Sequence, residues 1–233
     1  MTPDFLKATD QPSPLIPAAT ILLLRDHDDE LEVLMVRRNR ALKAFGGAWV
    51  FPGGRVDVSD GPDLNPIDRA RAAAIRETRE ETNLDISASK MEVLSNWIPP
   101  KAEIRRFSTW FFVTPAPDHQ VTIDDGEIHE FQWVKPRDIL AQTPDPQFLV
   151  MPPTYISLHR LSNFRDTDIA MDIIGKTENE QFTTKFRKTD DGFVTLWEGD
   201  AAYENLDFEA PGPRRRLYAG KRWKYESDFI PDI

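Results

Sequence analysis

The sequence predicts a mixed α+β fold, and three observations carry that prediction. One well-capped helical stretch lies near residues 65–83. Short β-branched or apolar runs, separated by Pro, Gly and charged turns, surround it. Apolar residues make up 40% and charged residues 29% of the 233-residue chain, proportions that support a packed core rather than wholesale disorder. The length suits one large domain, or one domain with a substantial extension.

The elements follow in order. Residues 1–16 carry prolines and little periodicity and read as a tail. Ala18–Arg25 and Leu31–Arg37, split by a charged turn, predict a hairpin. Trp49-Val50-Phe51 is a short strand stopped by Pro52-Gly53-Gly54, and Arg55–Leu64 is a loop rich in Asp, Gly and Pro. Asn65 suits a helix N-cap, Pro66 the first helical position and Asp68 the first turn, so the helix runs over Ile67–Thr82. Asn83 can adopt the left-handed stop. Met91–Ile98 and Arg106–Thr114 are strands on either side of Pro99-Pro100, and Glu130–Val134 is another. Pro136–Leu140 begins a short helix and Pro153–Phe164 a longer one. Beyond these, Phe182–Phe186 and Phe193–Trp197 flank Asp190-Asp191-Gly192 as a hairpin. Arg214–Tyr218 and Arg222–Tyr225 suggest a second hairpin around Ala219-Gly220. The expected division is a tail over 1–16, a body over 17–143 and a C-terminal extension over 144–233 packed on that body.

Charge and composition exclude several classes. There are 29 Lys and Arg against 39 Asp and Glu, a formal net charge of −10, which argues against a nucleic-acid partner. Cysteine is absent, so disulfides, thiolate metal sites and a cysteine nucleophile are excluded, and a cytoplasmic location is the expectation. No apolar run approaches the roughly 20 residues of a membrane span. Leu15–Leu24 is broken by Pro17 and runs into charged residues 25–30, so it reads as a strand rather than a secretory signal.

The chemistry is concentrated in Arg76-Glu77-Thr78-Arg79-Glu80-Glu81-Thr82-Asn83-Leu84. Glu77, Glu80 and Glu81 stand at i, i+3 and i+4, on one helix face. Three carboxylates that close repel one another unless a hard cation such as Mg²⁺ or Mn²⁺ sits among them. The plainer alternative is a solvated acidic face with Arg76 paired to Glu80 at i,i+4. The Gly-rich turn Phe51-Pro52-Gly53-Gly54 upstream favours the cation.

Strand, Gly-Gly turn and Arg-Glu-x-x-Glu-Glu helix together resemble the Nudix box, G-x5-E-x7-R-E-U-x-E-E-x-G-U with U apolar. Three departures stand out. The stretch from Gly54 to Arg76 is eight residues longer than the usual spacing, so Asp60 or Asp57 fills the first acidic position; Thr78 replaces an apolar residue, and Asn83 replaces Gly. The resemblance implies an α/β/α sandwich around a mixed sheet, to which the C-terminal part adds a helix and β-hairpins. It implies a divalent-metal-dependent hydrolase of a nucleoside diphosphate linked to another moiety. Glu77, Glu80 and Glu81 would hold Mg²⁺ or Mn²⁺, Glu81 or Glu127 would take a proton from water, and Arg76 would orient the carboxylates. Glu127, six residues before Trp133, matches the family's later acidic loop.

Leu34, Arg38, Lys43, Gly47 and Phe51-Pro52-Gly53-Gly54 are similar to the coenzyme A pyrophosphatase pattern, with Lys43 where Arg is usual. Trp97-Ile98-Pro99-Pro100 and Arg106-Phe107-Ser108-Thr109-Trp110-Phe111-Phe112 resemble the long-insertion acyl-coenzyme A diphosphatases. That likeness places Arg38, Lys43, Gly53, Gly54 and Arg106 at the substrate, while the aromatics read as core. The implied substrate is coenzyme A or acyl-coenzyme A. ADP-ribose, NADH or a dinucleotide is the alternative within the class, and a non-catalytic nucleotide-binding regulator the alternative outside it. The basic island Arg214-Arg215-Arg216, Lys221, Arg222, Lys224 could meet a phosphate or a partner subunit, or form a solvated hairpin. A homodimer is compatible with the sequence; a membrane partner is not expected.

Overall fold

The computed structural model describes residues 12–40, 46–123 and 126–229. The first hairpin joins β1 (Leu15–His27) to β2 (Glu30–Arg38) through Asp28 and Asp29, both at positive φ, as a tight two-residue turn requires. Next come β3 (Trp49–Val50), β4 (Gly53–Arg55) and α1 (Pro66–Thr82). Then follow β5 (Glu92–Ile98), β6 (Arg106–Pro115), β7 (Ile128–Val134), α2 (Pro136–Gln142), α3 (Pro152–Leu161) and α4 (Thr167–Lys176). The last elements are β8 (Glu180–Thr183), β9 (Lys185–Thr189), β10 (Gly192–Leu196), β11 (Arg215–Ala219) and β12 (Trp223–Ser227).

The main sheet is mixed and forked. β1 pairs antiparallel with β2 at Leu24–His27 but with β4 at Ala18–Thr20. Its other edge runs parallel to β6 from Leu15 to Leu24. The segment 49–55 fills the fork, with β3 on β2 and β4 on β1. Ile21 N donates to Pro52 O at 2.9 Å, and Thr20 Oγ1 donates to Pro52 O at 2.7 Å. Beyond β6 lie β5 and then β8, while β7 extends the sheet from β2.

Alternation along β1 sorts the core into two layers. Ala19, Ile21 and Leu23 pack with Ala70, Ala73 and Ala74 of α1. Leu22 and Leu24 turn to the opposite face and share a cluster with Leu158 and Leu161 of α3, Ile174 of α4, and Trp197 and Leu217 from the C-terminal sheet. The alanines let α1 approach closely, and this placement brings its glutamates to the fork.

The expected helix is present with the expected ends. Asn65 Oδ1 accepts from the N–H groups of Ile67 and Asp68, and Asn83 closes the helix at φ 57°. Thr78 is fully buried, as an apolar residue would be, although its Oγ1 has no hydrogen-bond partner.

The C-terminal part differs from expectation in three ways. The expected strand at 182–186 is divided between two sheets: Phe182, on β8, adds to β5 of the main sheet, and Phe186 lies on β9. The two expected hairpins form one antiparallel sheet, in the order β12-β11-β10-β9. A helix missing from the sequence reading, α4, is capped by Asp166, whose side chain accepts from Ile169 N.

Candidate active site

Arg76 organises the acidic end of α1. Its Nε and Nη2 both meet the Asp60 carboxylate at 2.9 Å in a two-pronged pair. Its Nη1 donates to Glu77 at 2.9 Å and to Glu80 at 3.1 Å, and Nη2 also reaches Arg55 O at 3.1 Å. Asp60 is buried, and the Arg76 hydrogen bonds hold its carboxyl below the usual range. Asp57 lies 3.8 Å from Arg76 and gives its backbone N–H to Asp60. Of the two candidates for the early acidic position, Asp60 therefore grips the arginine.

Glu81 is 5% exposed, and its Oε2 accepts from Gly53 N at 3.0 Å. Burial pushes its pKa up to about 8, against the Gly53 hydrogen bond, with Glu77 and Glu127 adding to the rise. Burial also raises Glu77, against the pull of Arg76, and Glu80 and Glu127 push in the same direction. In the turn that receives these carboxylates Gly53 is fixed by the backbone of β1, and Gly54 leaves room for the Glu77 carboxylate. A Cβ on Gly54 would lie 2.5 Å from the Glu77 carboxyl carbon, and one on Gly53, at φ +150°, would lie 2.3 Å from Ala19 O.

Glu77 and the Gly53-Gly54 turn open into a cavity of about 990 Å³, while Glu81 stays outside its lining. Arg38, Gly53, Gly54, Glu77 and Glu127 line its acidic end. Glu127 is brought there by the end of β2, where Asn39 N donates to Glu127 O at 2.8 Å and Asn39 Nδ2 to Gly126 O at 3.1 Å. Arg38 lowers the Glu81 pKa, and its own Nε is buried without a hydrogen-bond partner. A buried donor in that state is suited to an incoming acceptor.

Some expected site residues lie elsewhere. Glu80 is exposed and turned to Arg76, away from the cavity lining, because the i,i+4 pairing claims it. Arg106 is buried with its guanidinium on Ser13 O and Pro99 O, so it anchors the β5–β6 connection instead of facing the cavity. Lys43 lies outside the described residues. The basic island is neither a solvated hairpin nor a phosphate site at its centre. Arg215 bonds Glu180 at 2.8 Å and stacks over Phe182, and Arg216 is sealed against Asp200. Trp97, Phe111 and Phe112 are buried as core, as expected. Not anticipated were Glu103, a cavity residue whose carboxyl burial pushes to about 7, and the cavity wall built by β9 and β10. A local signal for that wall was its Asp-Asp-Gly turn, which marks a hairpin but not where it docks.

The carboxylates suit a hard divalent cation by their chemistry: oxygen donors only, mutually repelling and partly dehydrated. Among the described residues no three side chains already converge into a closed cation cage. No helix of the described residues is long and apolar enough to cross a membrane.

Comparison with known proteins agrees with this geometry. The peroxisomal coenzyme A diphosphatase ndx-8 of Caenorhabditis elegans is 31% identical over 135 residues, covering 56% of this chain and 53% of that protein. A protein of Schizosaccharomyces pombe named "Probable nudix hydrolase C6G9.05" is 27% identical over 169 residues, covering 70% of this chain and 49% of that protein. The chain thus spans about half the length of the curated relatives it matches. The crystal structure of a NUDIX hydrolase from Alicyclobacillus acidocaldarius superposes with a TM-score of 0.63 at 20% identity, covering 71% of this chain and 99% of that one, and so shares the fold. The NUDIX domain matches residues 14–152, the stretch that holds the forked sheet, α1 and its carboxylates, and the chain belongs to that family.

Proposed function

We propose that this chain is a divalent-cation-dependent hydrolase that cleaves the diphosphate of coenzyme A or an acyl-coenzyme A, giving 3′,5′-ADP and a phosphopantetheine derivative. The observation that carries the hydrolase reading is the gathering of acidic groups at one end of the cavity: Glu77 and Glu127 line it, Glu81 is held beside it on the Gly53 amide, and both lining glutamates raise the proton affinity of Glu81. Glu77, Glu80 and Glu81 would hold Mg²⁺ or Mn²⁺, with Glu80 exchanging its contact with Arg76 for the cation. When bound, the cation supplies neutralisation of the diphosphate and a lowered pKa for a bound water.

The chain's own residues do the rest. One of two carboxylates, Glu81 held on the Gly53 amide or Glu127 in the cavity lining, takes the water's proton. Gly53 N–H fixes one Glu81 oxygen, which leaves Oε1 to act. Arg76, clamped by Asp60, holds the glutamates in position without touching substrate. Arg38 offers its unpaired Nε to a phosphate oxygen. Coenzyme A is supported as substrate by the Arg38 and Phe51-Pro52-Gly53-Gly54 pattern, and by the likeness to a relative named as a coenzyme A diphosphatase.

The test is a substrate panel with Mg²⁺ and with Mn²⁺, products identified by mass. It holds coenzyme A, short- and long-chain acyl-coenzyme A, ADP-ribose, NADH and diadenosine polyphosphates. Release of 3′,5′-ADP is expected. AMP from ADP-ribose or NADH, with coenzyme A untouched, would keep the chemistry and discard the substrate.

A further inference from the structure

The cavity is a slot between two sheets, and its two faces follow from strand register. On the main sheet, Ile16, Ala18 and Thr20 of β1 lie opposite Phe107, Thr109 and Phe111 of β6, and Trp97 of β5 lies opposite Thr109. Directly paired residues share a sheet face, and all seven line the cavity as its floor. On the second sheet, Phe186 lies opposite Thr195 and Lys188 opposite Phe193. These four also line the cavity and form its roof.

The catalytic end and the far end are separated by known steps. From β4, where Gly53 and Gly54 meet the glutamates, the floor crosses β1 and β6 to β5. Three strand spacings amount to about 14 Å. Along this path Ile16, Ile98, Phe107, Phe186 and Phe193 line the cavity, yet none of them belongs to either core cluster. They are half-buried apolar side chains that face a gap rather than one another's packing. A cavity of about 990 Å³ stands at the upper end of the roughly 300–1,000 Å³ of ligand pockets.

We infer that the C-terminal sheet roofs the active site and selects its substrate: the slot holds an extended apolar chain attached beyond the diphosphate, and Phe186 and Phe193 are the residues that grip it. The inference rests on the hydrolase reading for the position of the diphosphate. Neither side chain supports the fold's core, so their replacement changes the ligand's surroundings rather than the packing beneath.

The test compares coenzyme A with dodecanoyl-coenzyme A. Affinities are measured by calorimetry on protein stripped of divalent cations, where no turnover consumes ligand, and kcat/KM is measured with Mn²⁺. Dodecanoyl-coenzyme A is expected to bind at least about tenfold tighter than coenzyme A. Phe186→Ala and Phe193→Ala should each shrink that preference about tenfold, while Phe193→Leu keeps most of it. A wild-type preference near one overturns the inference. So does a preference that survives the double alanine variant, or an equal loss for both ligands, which would put a part common to both, the nucleoside or the pantetheine arm, in the slot. If the chain binds with this preference but hydrolyses nothing, the hydrolase reading fails and the roof assignment stands. If 3′,5′-ADP is released with no chain preference, the reverse holds.

Discussion

Arg76 and Arg216 are both gripped by carboxylates, but the charge around them is balanced differently. Arg216 meets one carboxylate, Asp200, through paired contacts, and also reaches the Tyr218 hydroxyl at 3.4 Å; the Arg216 and Asp200 side chains are 1% and 0% exposed. Asp200 also accepts backbone N–H groups from Arg215 and Ala202, so the pair is closed in on itself. Arg76 meets Asp60, Glu77 and Glu80, with Glu81 and Glu127 close behind, and its side chain is 27% exposed. The first set sums to zero and pins the turn at 200–202 to β11. The second has more anions than its arginine can neutralise, and it opens on a cavity. An ion pair that is complete needs nothing further; one left in deficit is arranged around something that arrives.

That contrast can be broken from either side. Glu81→Gln keeps the shape of the acidic cluster and removes a charge, so turnover should fall by a factor of about 10²–10⁴ with little change in melting temperature. Undiminished turnover in steady-state assays would remove Glu81 from the chemistry. Asp200→Asn does the opposite. It strands a buried guanidinium and should cost about 3–5 kcal/mol in denaturant unfolding, with loss of activity only as the fold is lost. Gly54→Ala sets a methyl against the Glu77 carboxylate and should raise the Mn²⁺ concentration for half-maximal rate by about tenfold.

The smallest effect concerns acid. Burial opposes ionisation of Asp200, but the Arg216 and backbone hydrogen bonds win, so its carboxyl stays below the usual 3.8. A depressed carboxyl stabilises the fold above the unfolded value and loses that contribution as pH falls through the folded one. Melting temperature should therefore drop below about pH 4 in the parent protein, and the drop should be shallower in Asp200→Asn.

The legible parts of this molecule were local. Asn65, Pro66 and Asn83 mark both ends of α1 because capping is decided within a few residues. Asp28 and Asp29 mark the first hairpin for the same reason. The Glu77, Glu80 and Glu81 spacing showed a shared helix face, but not that Arg76 would draw Glu80 aside, since helical spacing allows both outcomes. Arg106 misled because a strand-end arginine beside aromatics looks alike whether it meets a phosphate or two carbonyls. Phe182 and Phe186 share one short stretch of chain, and only tertiary pairing across about 85 residues assigns Phe182 to the main sheet. Arg215 and Arg216 looked solvated for want of any sequence link to Glu180 and Asp200.

Thr184 is the single residue between β8 and β9. Its N–H bonds Ile98 O at 2.8 Å and its Oγ1 accepts from Trp197 Nε1 at 3.1 Å, so one side chain and one amide tie floor to roof. The carboxylates all come from residues before 128, whereas the roof is drawn from residues beyond this junction. During synthesis the carboxylate-bearing stretch therefore emerges first and the roof last. On longer timescales the two halves are not freely exchangeable, since Trp197 and Leu217 belong to the core shared with β1; what can vary cheaply is the set of roof side chains outside that core, such as Phe186 and Phe193.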